Sequence, residues 1–285
     1  MKKPWRNMVG AREDMAIKFF RRAVVSTILM ASVMGFIYFF PNWMFSLVIA
    51  GFIGFGQNEF FRMVENRGIF VYRYFGVAAG FLLPVVIFLG IDVPGLKNLE
   101  PLLIVAASLF AFTLQFTRKD PAKDHLVSMA LTLFSLFYIC WFFSFTLKLR
   151  LLAGGADLVA FLVVVTKSAD IGAYVAGNFF GRTELIPRIS PKKTKEGTIG
   201  GILLSIIVSV TLGRYLTGFQ FFHLAILGVL LAVLGQVGDL AESLIKRDCG
   251  VKDSGNYFPG IGGVLDVIDS LLFTAPVFYF YVMTF

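Results

Sequence analysis

The chain has 285 residues, 57% of them hydrophobic and 15% charged, with a formal net charge of +8. Soluble domains carry about 25% charged residues, so the composition excludes an ordinary soluble enzyme and leaves the lipid bilayer as the main solvent. The positive charge is spread over separate loops, whereas nucleic-acid binding needs a basic patch gathered on one face, so no nucleic-acid partner is expected.

A membrane-spanning helix needs roughly 20 mostly apolar residues. Nine such stretches are legible, near 23–40, 43–61, 72–91, 101–117, 126–147, 156–180, 199–217, 221–245 and 262–285. They predict an all-α, polytopic integral membrane protein whose connections are too short to hold a soluble catalytic domain. The chain divides into an N-terminal segment (1–22), plain apolar helices (23–150) and a C-terminal region (151–285) in which polar residues concentrate inside the spans. The first apolar run is longer than a signal-peptide core and lacks a small-residue cleavage site; Met15 offers an alternative start to the leader that precedes it.

Lysine and arginine set the orientation. With the N-terminus in the cytoplasm, the cytoplasmic connections hold 21 of these residues. The opposite side holds 4, namely Lys97, Lys148, Arg150 and Arg214, and Lys167 lies inside the sixth span. Such a bias on alternate loops is the positive-inside pattern. It implies a multi-pass protein of the cell (inner) membrane with its chemistry on the cytoplasmic side, where basic loops also meet anionic lipid headgroups. The two cysteines, Cys140 in an apolar run and Cys249 in a charged loop, read as free thiols.

In chain order, the first polar interruption is Gln57-Asn58-Glu59 at the end of the second span, which reads as interfacial. The sixth span carries Lys167, Asp170, Tyr174 and Asn178 on one helical stripe. Intramembrane charges are costly and usually pair or line a polar cavity; a simple Lys167–Asp170 ion pair is the plainer reading. The loop from Ile189 to Gly201 packs Lys192, Lys193 and Lys195 with Ser190, Thr194 and Thr198 against a glycine-rich helix start. Ammonium groups, hydroxyls and a helix N-terminus all favour phosphate, although a basic cytoplasmic loop would satisfy topology alone. Asp239, Glu242 and Lys246 share a face at the end of the eighth span, and Asp266 and Asp269 open the ninth. Carboxylates gathered near lipid repel one another. A divalent cation would relieve this, and hard oxygen ligands suit magnesium, manganese or calcium, with Asp239, Asp266 and Asp269 as the metal-ligand candidates. The alternative is pairing of these acids with Lys246, Arg247 and Lys252. Only His125 and His223 are available as histidines, so no zinc pattern competes. No P-loop or Rossmann glycine motif is present.

The run Ser243–Asp269, SLIKRDCGVKDSGNYFPGIGGVLDVID, resembles the signature of the phosphatidate cytidylyltransferases (CDP-diacylglycerol synthases). Lys246, Arg247, Lys252, Asp253, Pro259, Gly260, Gly262, Gly263, Asp266 and Asp269 stand at its fixed positions. The segments SADIGAYVAGNFFGRT, from Ser168, and ISPKKTKEGTIGG, from Ile189, resemble the same family, so the likeness covers roughly 168–285. The first half matches in general hydropathy. Ile261 and Val267 depart from the usual His and Arg, which removes a candidate general base and a phosphate contact. A phosphate monoester has its second pKa near 6, so a lipid phosphate nucleophile is already largely ionised at neutral pH.

The resemblance implies that CTP and phosphatidic acid condense to CDP-diacylglycerol and pyrophosphate, with one or two magnesium ions. Asp239, Asp266, Asp269, Lys246 and Lys252 are then the catalytic candidates. Lys192, Lys193 and Arg247 would hold phosphates; Ser190 and Thr194 would donate hydrogen bonds. Asp170, Asn178, Asp253, Gly262 and Gly263 complete the substrate-binding set. The family also suggests a homodimer. Three other readings compete: a related enzyme acting on a different lipid acceptor, an ion-coupled transporter, and a non-catalytic relative.

Overall fold

The computed structural model describes residues 30–92, 94–96, 98–117, 124–258 and 262–285. Two compact units partition the chain at Phe40/Pro41. In the first, the described part of α1 is Met30–Phe39, an apolar helix. The start of the first predicted span (23–29), together with Lys97, Arg118, Lys119, Lys123, Pro259, Gly260 and Ile261, lies outside the described residues.

The second unit is built from α2 (Asn42–Asn66), α3 (Arg73–Asp92), α4 (Leu99–Phe116), α5 (His125–Ser135), α6 (Phe142–Arg150), α7 (Gly155–Phe180), α8 (Lys195–Thr217), α9 (Phe221–Asp248) and α10 (Val264–Thr284). A π-helical turn, Leu136–Trp141, joins α5 to α6, so that His125–Arg150 forms one span of 26 residues. Among the described residues, 8 helices are long and apolar enough to cross a membrane, in register with the second to ninth predicted stretches. In lipid every backbone polar group must be satisfied internally, which helices achieve within one segment. The molecule is therefore an all-α polytopic membrane protein. Its one sheet among the described residues is a small hairpin, β1 (Glu184–Ile186) against β2 (Ser190–Thr194), in register Glu184↔Thr194.

Helices α2 and α7 are the most enclosed, α4 and α8 the least. The outer faces of α4 and α8 present Leu102, Leu109, Phe110, Ile199, Leu203 and Ile207 outward, a surface for acyl chains. The most extensive helix contact is that of α7 with α8, and the two approach through small residues, as membrane helix interfaces do. A Cβ on Gly200 would lie 2.2 Å from the Ala176 Cβ, and one on Gly172 would lie 2.7 Å from the Gly200 carbonyl oxygen. Ser205 and Ser209 of α8 donate to the Gly228 and Leu224 carbonyls of α9 at 2.9 and 2.6 Å. Gly200→Leu is thus expected to separate α7 from α8 and destabilise the fold by about 1–3 kcal/mol, the usual cost of overpacking. The check is a thermal melt of the detergent-solubilised protein.

Candidate active site

The polar residues singled out in the sequence gather at one end of α7, α9 and α10, next to the β1–β2 hairpin. The hairpin turns directly into α8: the Thr194 hydroxyl caps the helix by accepting from Gly197 N at 3.1 Å, while Glu196 accepts from the backbone N–H groups of Arg182 and Thr183. This fixes β2 beside α9, and Lys193 forms an ion pair of 2.6 Å with Asp239.

A second centre lies where the end of α9, the start of α10 and the loop between them meet. Lys246 is 8% exposed and donates to Glu242 Oε2 at 2.7 Å and to Asp266 Oδ1 at 2.5 Å. The other oxygen of Asp266 accepts from Ser254 N, Ser254 Oγ and Gly263 N at 3.0, 2.8 and 2.7 Å. Gly262 sits at φ 128, and a Cβ there would lie 2.3 Å from Asp266 Oδ2; a side chain would be strained and would collide with the carboxylate.

A third centre joins α7 to α10: Lys167 donates to Asp170 Oδ2 at 3.2 Å and to Ser270 Oγ at 2.8 Å. The plain ion-pair reading of Lys167 and Asp170 therefore holds. Lys167 also lies within electrostatic reach of Asp269 and Asp239, and Glu242 within that of Asp269 and Asp266, so the three centres are electrostatically linked. Asp269 is buried and accepts from Ser270 N. In this arrangement lysine ammonium groups supply the counter-charge: Asp239 and Asp266 each carry their own lysine. Among the described residues no three His, Cys, Asp or Glu side chains converge to hold one metal ion. The donors are nonetheless hard carboxylate oxygens of the kind magnesium takes, and Glu242 Oε1 is buried with no hydrogen-bond partner.

Lys192, Asn178, Arg247, Lys252 and Asp253 are exposed, and Arg247 donates to the Val251 carbonyl at 3.3 Å. Ser190 pairs with Ile186 in the hairpin, and Gly263 is buried beside Ser254. His125 and His223 are engaged elsewhere, with Gln115 and the Tyr281 hydroxyl. Cys140 and Cys249 are both free, and burial beside Asp248 pushes the Cys249 thiol up from its usual range, which makes it a poor nucleophile.

The sequence reading missed Glu59. Read from the sequence only as interfacial, it is 2% exposed and accepts from Val264 N and Leu265 N at 2.9 and 2.8 Å and from Ser254 Oγ at 3.1 Å. The available signal was an ionisable residue inside an apolar helix, which marks a functional position by default.

The sequence profile of the cytidylyltransferase family matches residues 21–285. The chain belongs to that family. Its relatives include the Synechocystis phosphatidate cytidylyltransferase, 33% identical over 274 residues that cover 85% of this chain and 89% of that protein. The chloroplastic phosphatidate cytidylyltransferase 4 of Arabidopsis thaliana is 34% identical over 85% of this chain and 68% of its own length. The Escherichia coli uncharacterized protein YnbB is 43% identical over 152 residues, 53% of this chain and 50% of that protein. Glu59 belongs to the half of the chain that carries no signature residue, yet it touches the signature segment directly.

Proposed function

We propose that this membrane cytidylyltransferase condenses CTP with phosphatidic acid. A phosphate oxygen of the lipid forms a new P–O bond to the α-phosphorus of CTP, the bond between that phosphorus and the α–β bridging oxygen breaks, and pyrophosphate leaves. CDP-diacylglycerol stays in the bilayer. The observation that carries this reading is the pairing of Lys193 with Asp239 and of Lys246 with Asp266 inside the region, roughly 168–285, that resembles the family. Two ammonium groups are thereby held, charge-balanced, where triphosphate oxygens can become their acceptors. Lys192, Arg247 and Lys252, exposed around them, extend the positive surface over which the triphosphate is drawn in.

Phosphoryl chemistry of this kind depends on positioning and on neutralising charge that builds on the leaving group. Lys193, Lys246 and the glycine-lined start of α10 perform this here, and Thr194 and Ser190 border the same loop. Asp239, Asp266 and Asp269 are the residues that would hold magnesium, which when bound would neutralise triphosphate charge. The lysine and arginine bias supports an orientation in an inner membrane with this end of the bundle facing the cytoplasm, where CTP is found. A homodimer is the proposed assembly.

The test is turnover of labelled CTP with phosphatidic acid by the purified full chain in mixed micelles. Equimolar CDP-diacylglycerol and pyrophosphate are expected. Chelation with EDTA should remove at least about 99% of the rate, on the scale of a lost electrostatic contribution, and added magnesium should restore it. No product with magnesium present would overturn the reaction assigned; full activity in EDTA would overturn only the cation.

A further inference from the structure

We propose that Glu59 is a positioning residue for the transfer reaction: from α2 it fixes the first turn of α10 and, through Ser254, the direction of the Asp266 carboxylate. This rests on the reaction proposed above.

Helix α10 begins with N–H groups that have no partner inside the helix, and its N-terminus favours negative charge. Glu59 supplies both needs from a residue about 200 positions earlier in the chain, accepting from Val264 N and Leu265 N. A buried carboxylate without donors would be very costly; here two amides and one hydroxyl serve it. Space is reserved for it by glycines. A Cβ on Gly255 would lie 2.3 Å from Glu59 Oε1, and one on Gly263 would lie 2.3 Å from both Glu59 Oε1 and Ser254 Oγ. The Ser254 hydroxyl stands 3.1 Å from Glu59 Oε2 and 2.8 Å from Asp266 Oδ2. It has one hydrogen to give, so the two carboxylates share it, and a change at Glu59 alters what Ser254 offers Asp266. A displaced Glu59 shifts Ser254, and Ser254 provides two of the contacts that aim Asp266.

Glutamine at position 59 keeps the shape but turns an amide donor toward donors. For Glu59→Gln, kcat is expected to fall at least about tenfold with KM for CTP within about twofold, since a misplacement near 1 Å at the reacting groups can cost about 100-fold. Ser254→Ala should also lower kcat, and the double variant should be no slower than Glu59→Gln alone, because both act through one path. Hydrogen exchange at the Val264 and Leu265 amides should accelerate in Glu59→Gln. Unchanged kcat, multiplicative losses in the double variant, or unchanged exchange would each overturn the inference. If Glu59→Gln does not yield folded protein, Ser254→Ala decides: a fall in kcat at constant KM supports the role, and unchanged kcat removes it. An inactive parent protein would strike the proposed reaction instead, and amide exchange would still decide for Glu59.

Discussion

Asp266→Asn is expected to abolish CTP turnover, by at least about 100-fold on the scale of losing one preorganised charged group, in a protein that still folds. Asp266 is the hub of the site. One oxygen takes the Lys246 ammonium and the other takes Ser254 N, Ser254 Oγ and Gly263 N. Asparagine has a single acceptor oxygen, so its amide group must face either the lysine or the cluster of donors. Either choice sets donor against donor. The charge that balances Lys246, and that would hold a divalent cation, is gone in both. The fold survives because α10 keeps its contact with Glu59, which holds Val264 N and Leu265 N independently. Rates of CDP-diacylglycerol formation and the elution profile on size exclusion are the measurements. Full turnover in a monodisperse Asp266→Asn protein would remove Asp266 from the reaction.

Lys246→Met should destabilise the protein by about 3–5 kcal/mol, the cost of removing one partner from a buried ion pair. Lys246 lies between Glu242, which is 0% exposed, and Asp266. Without it, two carboxylates remain close together with no counter-charge, and Glu242 Oε1 already lacks a hydrogen-bond partner. Methionine keeps the volume of the stem, so the loss reports charge rather than a cavity. A double variant, Glu242→Gln with Lys246→Met, should recover much of the thermal stability and none of the turnover, because the ammonium proposed to meet phosphate stays absent. Denaturation midpoints and initial rates on the three proteins separate the effects. A double variant as unstable as Lys246→Met would place the cost elsewhere than in the stranded Glu242.

Eight of the spans were legible because membrane insertion is a local property: each stretch meets lipid with its own twenty or so residues, whatever its neighbours do. The stripe on α7 and the acids of α9 and α10 were legible for a related reason. Helical spacing places them on shared faces, and charge inside an apolar helix stands out against its background. The loop from Ile189 showed its lysines and hydroxyls but not its hairpin, since β1 and β2 are only 3 and 5 residues long and owe their pairing to the turn and to the start of α8.

Sequence alone thus determined the solvent, the order of the eight spans among the described residues, and the set of candidate groups for the chemistry. Only the tertiary structure decided which group meets which. It gave Asp239 to Lys193 and Asp266 to Lys246, where the spacing had offered four carboxylates around a cation. It also brought Glu59, read as interfacial, into the heart of the site. Periodicity describes one helix at a time, whereas an ion pair or a capped helix end between distant segments depends on how helices cross.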